Sequence, residues 1–457
     1  MNIKPSINRN NPFLWLVIGL LSCLFLPLLF TRGMFLDGTI YSSISLNLSK
    51  GTGTFWKPIY TGLVEAPFYE HPPFFFWIEG FWFKLIGNQI FTERSFDLLI
   101  LGLSIWLLIK IIKTLKLHID PLAAIILLVA IPKFSWSFNN NMMEIMLIPL
   151  LLSCFLILIK NTVTPKWFHY PLYAISTICF FLIKGPVALG LVFLPFVFIF
   201  NKSFKTITYQ FIFNGASIAI GFYLLMLYPN ANNNIETYIN QQVLASINGN
   251  RPSEHTTNQF KIILGTLEQL LIPLLIAALH FIINKEKANK LITFLPLLIT
   301  GLAFSIPFTL FNKQHIYYII PSLPFYILFI VGLFNISTQS IIEKISIKAQ
   351  QAIKVIGILA LIIAISISIF NYNNISRDKS LLNDLTTISI SVGKNAVTAS
   401  KELHSKWNLY SYSARHQLVK FTVSKKAEYL VSSYNHIPNG YESVKIKTTT
   451  LFLYKKL

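Results

Sequence analysis

Long apolar runs recur along this chain, near residues 13–31, 95–112, 122–138, 142–160, 168–183, 185–200, 207–229, 266–284, 291–311, 315–334 and 351–370. A hydrocarbon core needs about 20 helical residues per crossing, so runs of this length read as membrane helices. They are continuous rather than alternating, which argues against an outer-membrane barrel. A soluble chain of 457 residues, 54% hydrophobic and 12% charged, could not hide that much apolar surface. The expected fold is a polytopic α-helical membrane protein of about 11 spans. The pair 168–183 and 185–200 is divided only by Lys184-Gly185-Pro186. The opening MNIKPSINRNNPF resembles the basic region of a signal peptide. No small-residue cleavage site follows, so the first run reads as an uncleaved span.

Net charge is +20, and most of the basic residues are lysines. They recur in alternate loops: Lys110, Lys113 and Lys116; Lys160 and Lys166; Lys202 and Lys205; Lys285, Lys287 and Lys290; Lys344 and Lys348. By the positive-inside rule these loops are cytoplasmic, with the N-terminus. Segments 32–94, 139–141, the turn at 184, 230–265, 312–314 and the tail from 371 then lie outside. No basic–aromatic platform is present, so a nucleic-acid partner is not expected. The three cysteines all lie within apolar runs, without metal spacing or a disulfide position.

Two outer stretches, TIYSSISLNLSK (39–50) and FFFWIEGFWFKLIG (74–87), suit helices lying in the membrane interface. The tail mixes stretches read as β-favouring (WNLYSYSA, AEYLVSSY, TTTLFLY) with helix-like ones. The expected organisation is a membrane module over 1–335 and a linker and last span over 336–370. A small soluble α/β domain over 371–457 completes it.

Polar groups beside a membrane are costly and need a reason. Those that stand out are Asp37, Glu65, Glu70, His71, Arg94, Glu144, Lys184, Arg251, His255, Lys313, His315, Tyr317 and Tyr318. Nearly all fall at the outer face, where a lipid-borne substrate would present its headgroup. Several also have an ordinary reading. Asp37 fits a solvated helix end, and Glu144 suits a helix N-terminus through the dipole alone. Glu70 fits pairing with a nearby cation, and His71 a satisfied interfacial position aimed by the two prolines after it. Lys184 and Lys313 fit snorkelling chains, although lysines elsewhere keep to the inner side. Arg251 and His255 lie in an Asn-rich loop of a length that often carries function. The aromatic stripe at 74–83 reads as an interface belt, a lipid groove, or both.

The stretch from Asp37 to Arg94 resembles the type C glycosyltransferases that use polyprenyl-phosphate sugars. More narrowly, it is similar to the protein O-mannosyltransferase and lipid A aminoarabinose transferase group. That group has an Asp after its first span and then a Tyr, an EKPPL.YW element and a G…F..R element. Here DGTIY runs from Asp37 to Tyr41, YEHPPFFFW from Tyr69 to Trp77, and GNQIFTER from Gly87 to Arg94. The group's KGP appears as Lys184-Gly185-Pro186, and its K.H.YYLLP..P as KQHIYYIIPSLP from Lys313 to Pro324. Arg251 and His255 answer to an Arg and a His of its large central outer loop. Two positions depart. Gly38 stands where the group usually has a second acid, and His71 where it has a lysine.

The resemblance implies transfer of a sugar from a polyprenyl-phosphate donor to an acceptor outside the cytoplasm, whether a glycolipid such as lipid A, a polysaccharide or a protein. Such chemistry needs a base for the acceptor's proton, cations for the departing phosphate and a greasy groove for the lipid. Asp37 is the expected base, with Glu70 and Glu144 as further catalytic candidates. His71, Lys184, Arg251, His255, Lys313, Tyr317 and Tyr318 are the candidates for holding the donor phosphate and sugar. A lipid-linked-sugar flippase and a non-catalytic lipid-binding member are the alternatives. The reading requires no cofactor. A divalent metal is left open, because the acids have no site-defining spacing. The expected location is the plasma (inner) membrane.

Overall fold

Two of the first eight helices begin at a side-chain cap. The computed structural model describes residues 10–61, 67–117, 119–248, 260–284, 289–310, 314–423 and 427–457. Asn11 caps helix α1 (Pro12–Leu29) by accepting from the Phe13 amide, with proline in the first turn where a missing N–H costs nothing. The two outer stretches are helices, α2 (Leu36–Ser49) and α3 (Phe74–Ile86), joined in part by a two-stranded hairpin, β1 (Gly53–Thr54) and β2 (Lys57–Pro58). On α3, Trp77, Phe81 and Leu85 form an exposed apolar stripe at helical spacing, opposite buried Phe75, Phe76 and Phe83.

Next come α4 (Thr92–Leu115), α5 (Pro121–Val129) and α6 (Pro132–Asn139). Asp120 caps α5 and also accepts from the Thr338 amide and hydroxyl, tying this end of the bundle together. Pro132 cannot continue the helical hydrogen-bond ladder, and α6 turns away from α5 by 74°. The run read at 122–138 is therefore two helices bent at a break, the geometry of a broken span or a re-entrant loop. Helices α7 (Glu144–Val163) and α8 (His169–Lys184) follow.

Beyond α8 the helical run continues to Phe198, but not in a straight line. The Tyr173 hydroxyl donates to the Leu191 carbonyl at 2.5 Å, across eighteen residues. A straight helix would part these groups by about 27 Å at 1.5 Å per residue, so the chain doubles back at Gly185. Among the described residues nine helical runs are long and apolar enough to cross a membrane, and the bent α5–α6 pair brings the total to ten. The sequence reading of about 11 spans took 168–183 and 185–200 as two, whereas the run 169–198 counts as one here.

The last long helix, Ile347–Phe370, runs parallel to α1. Ser368 bonds the Leu26 carbonyl, Asn371 that of Pro27, and Arg32 forms a parallel bridge with Ile375. Residue 371 therefore emerges at the same end of the bundle as Asp37.

There the tail folds into one sheet with two helices, Lys379–Val392 and Trp407–His416. Its strands are β3 (Ala396–Ala399), β4 (Lys420–Phe421), β5 (Tyr429–Ser432), β6 (Tyr441–Ser443) and β7 (Phe452–Lys456), in the order β4-β3-β5-β7-β6. Strand β3 is parallel to both neighbours, and the β5–β7 and β6–β7 pairs are antiparallel. One stretch differs from its reading. WNLYSYSA is helix, not strand. Tyr410 packs on Phe421 of β4, while Tyr412 bonds the Met34 carbonyl and Ser411 accepts from Ser43 of α2. A strand would aim residues 410 and 412 at one face. A helix wedged between sheet and α2 aims them apart, and that packing overrides β propensity.

Candidate functional site

The first turn of α2 places Asp37 at the end of the bundle beneath the tail domain. A carboxylate in a helix's first turn faces unpaired amides, which favours its charged form. The Tyr317 hydroxyl donates to Asp37 Oδ2 at 3.3 Å. Its ring is held by His315, stacked at 4.9 Å between ring centres, and Trp136, stacked at 6.3 Å. Phe35 meets the same ring edge-on at 6.5 Å. Three aromatic neighbours fix where that hydroxyl points.

The adjacent Tyr318 stands perpendicular to Tyr317 and lies under a cation. Lys184 Nζ sits 4.8 Å from the Tyr318 ring centre and 2.6 Å from Glu144 Oε1. Lys184 closes α8, and Gly185 after it takes a positive φ of 64°. A side chain there would also strike the Tyr238 ring, its Cβ only 2.5 Å away. Only glycine allows the reversal that leaves Lys184 at the wall of the site. Glu144 opens α7, is 1% exposed, and keeps Oε2 without a hydrogen-bond partner.

Tyr41 follows Asp37 by one helical turn and shares its face of α2. Its hydroxyl lies 3.2 Å from His71 Nε2. Burial, and then the charges of Asp37 and Glu144, hold the Tyr41 phenol well above its ordinary range, so it stays protonated. Beside these groups opens a cavity of about 130 Å³, lined by Glu70, His71, Lys184, Tyr238, Phe308 and Tyr318 among others.

The structure thus brings together Asp37, Glu70, His71, Glu144, Lys184, Tyr317 and Tyr318. Arg251, His255 and Lys313 lie outside the described residues. Arg94 is not at the cavity. Its guanidinium donates to the carbonyls of Leu28, Thr31, Gly33 and Asn139, and so fixes the approach to α2. The departure at Gly38 has a steric cause. A Cβ there would lie 1.9 Å from the Asn140 carbonyl oxygen, so no acid follows Asp37 while the 139–141 turn keeps this place.

Sequence reasoning passed over Tyr41 and Trp136 as site groups. Tyr41 carried a signal, its spacing of four from Asp37. The arrangement offers a carboxylate and an ammonium joined through one Tyr-Tyr pair beside a cavity. It can take a proton at one edge and steady an anion at the other. Among the described residues no group of three or more His, Cys, Asp and Glu side chains is placed to hold a metal ion.

Residues 70–229 match the family described as dolichyl-phosphate-mannose-protein mannosyltransferase. No curated protein matches the chain by sequence. In fold the chain is similar to ArnT from Cupriavidus metallidurans bound to undecaprenyl phosphate, at a TM-score of 0.65 and 12% identity over 96% of this chain and 97% of that one. It is also similar to the archaeal oligosaccharyltransferase AglB from Archaeoglobus fulgidus, in complex with an inhibitory peptide and a dolichol-phosphate. That likeness has a TM-score of 0.51 and 11% identity over 92% of this chain and 69% of that one.

Proposed function

We propose that this chain, a relative of the mannosyltransferase and ArnT-like group, is a membrane glycosyltransferase that moves a sugar from a polyprenyl phosphate to an acceptor outside the cytoplasm. One observation carries the reading. Neighbouring tyrosines touch the two groups the chemistry needs, Tyr317 the Asp37 carboxylate and Tyr318 the Lys184 ammonium.

The acceptor hydroxyl gives its proton to Asp37, and its oxygen attacks the anomeric carbon. The bond from that carbon to the phosphate oxygen breaks, and the polyprenyl phosphate leaves with the electron pair. Lys184 meets the growing phosphate charge, with His71 across the cavity as a second donor. Single displacement of this kind inverts the anomeric centre. Lys110, Lys113 and Lys160 lie at the ends of α4 and α7 away from Asp37, which supports a cytoplasmic N-terminus and an outer site. A glycolipid, a polysaccharide and a protein all supply the hydroxyl this step consumes.

The test is sugar release from labelled polyprenyl-phosphate sugars by the purified protein, wild type beside Asp37→Asn. Removing the base should lower turnover by about 10²–10⁴-fold while donor binding and melting temperature hold. Full turnover in Asp37→Asn would remove Asp37 from the mechanism.

A further inference from the structure

We propose that Glu79 is a positioning residue: a neutral carboxylic acid that bridges α3 to two backbone carbonyls of α2 and so fixes where Asp37 stands. The inference rests on Asp37 as the base.

Glu79 is completely buried at the contact of α3 with α2. Its Oε2 lies 2.6 Å from Ser45 Oγ, which is also 2.9 Å from the Tyr41 carbonyl oxygen. One hydroxyl carries one proton. If the helix carbonyl takes it, the short contact to Glu79 needs a proton from the Glu79 carboxyl. On the other side, Glu79 Oε1 accepts from Asn141 Nδ2 at 2.7 Å, and the same amide reaches the Gly38 carbonyl at 3.3 Å. The bridge therefore ends on the carbonyls of residues 38 and 41, one and four positions after Asp37.

The surroundings favour the neutral form. Burial pushes the Glu79 carboxyl up to about 8, and nearby Glu93 pushes the same way. The bonds from Ser45 and Asn141 and the Arg415 charge pull against them without prevailing. Asp97, Arg94 and Glu93 face this region from α4, Arg415 from the helix Trp407–His416, and Tyr41 from α2. Helix α8, also packed on α3, carries Lys184 in its pair with Glu144. The turn 139–141 contributes asparagines alone.

Glu79→Gln and Glu79→Ala separate the roles. In E79Q the amide N–H₂ donates to Ser45 and the oxygen accepts from Asn141, so the bridge survives but no longer titrates. Wild-type turnover is expected to decline as pH rises through about 8, whereas E79Q is expected to stay within about threefold of wild type at pH 7 and to show no such decline. E79A is expected to lose tenfold or more in kcat with donor KM unchanged. Collapse of E79Q to the level of E79A, or an identical alkaline limb in wild type and E79Q, would overturn the proposal.

A second arm needs no turnover. A carboxyl held above its ordinary 4.5 stabilises the fold fully below that pH and loses the contribution as pH rises to about 8. The melting temperature of E79Q should therefore gain on wild type from pH 5 to 8. A difference that does not change with pH would overturn the neutral bridge. If the gain appears but wild type turns over no donor at any pH, the bridge stands and the transfer reading falls.

Discussion

Two ion pairs occupy the same end of the molecule and serve opposite purposes. Arg415, from the tail domain, and Glu93, at the head of α4, pair with side chains only 2% exposed. The guanidinium also bonds Asn88 Oδ1 at 2.5 Å and the Gln89 carbonyl at 2.7 Å, and lies over the Phe83 ring. Every direction around it is protein. Of Lys184 and Glu144, at 11% and 1% exposure, the lysine lines a cavity instead, and one Glu144 oxygen has no partner. The first pair is saturated and holds a domain in place. The second has room for a third party, and a phosphate entering the cavity would compete with Glu144 for the same ammonium.

The contrast breaks most visibly at Arg415. Arg415→Ala leaves Glu93 buried without its cation, which costs about 3–5 kcal/mol. The tail should loosen from α2, read as a lower melting temperature and faster proteolysis after residue 371. His416 sharpens the point. Burial, and then the charges of Arg415, Arg32 and Arg94, hold its imidazole well below the usual range, so it adds no charge to rescue Glu93 at neutral pH. A cost of about 0–1 kcal/mol, as for a surface pair, would mean the interface does not depend on this contact.

None of that pair was legible in the sequence, and the reason is distance along the chain. Arg415 and Glu93 are 322 residues apart, and neither lies in a pattern that names a partner. The membrane helices were legible because length and continuous apolarity are local properties. Asp37, His71, Lys184, Tyr317 and Tyr318 stood out as candidates because each is a polar break beside an apolar run and falls in a motif of the family the chain resembles. Glu79 and Asn141 were not, since a hydrogen bond between α3 and a turn leaves no periodic trace. The helix at 407–416 was misread for a related cause. Its faces are set by α2 and the sheet, both remote in sequence.

Lys184→Gln probes the other member of the comparison. It leaves the Glu144 carboxylate without its cation, a cost of about 1–3 kcal/mol and less than at Arg415, whose guanidinium also bonds Asn88 and the Gln89 carbonyl. Turnover should fall further than stability suggests, by about 10²–10³-fold, if Lys184 meets the leaving phosphate. Adding Glu144→Gln should restore the melting temperature but not the turnover. Restored turnover in the double variant would make Lys184 a structural counter-ion like Arg415, and the distinction between the pairs would vanish.

Glu402, within the tail domain, gives the smallest effect and isolates what a counter-ion adds. Its Oε1 accepts from the hydroxyls of Ser400, Ser432 and Ser433 and from the Ser433 amide. Burial raises its pKa, but these bonds outweigh it and carry the carboxyl down to about 2. A carboxyl held below its ordinary 4.5 contributes stability above that pH and loses it as pH falls toward 2. Glu402→Gln keeps an oxygen acceptor and forfeits only the charge, so it should cost about 1 kcal/mol at pH 7. Its melting temperature should also fall less than that of wild type between pH 4.5 and 2, a profile read by calorimetry. Salt should barely change the difference, since short hydrogen bonds are screened far less than separated charges. No cation is left behind when Glu402 loses its charge, whereas Arg415→Ala and Lys184→Gln each strand a buried carboxylate. If Glu402→Gln cost as much as Arg415→Ala, the stranded charge would not be what separates these regions, and the ordering of all three effects would need another cause.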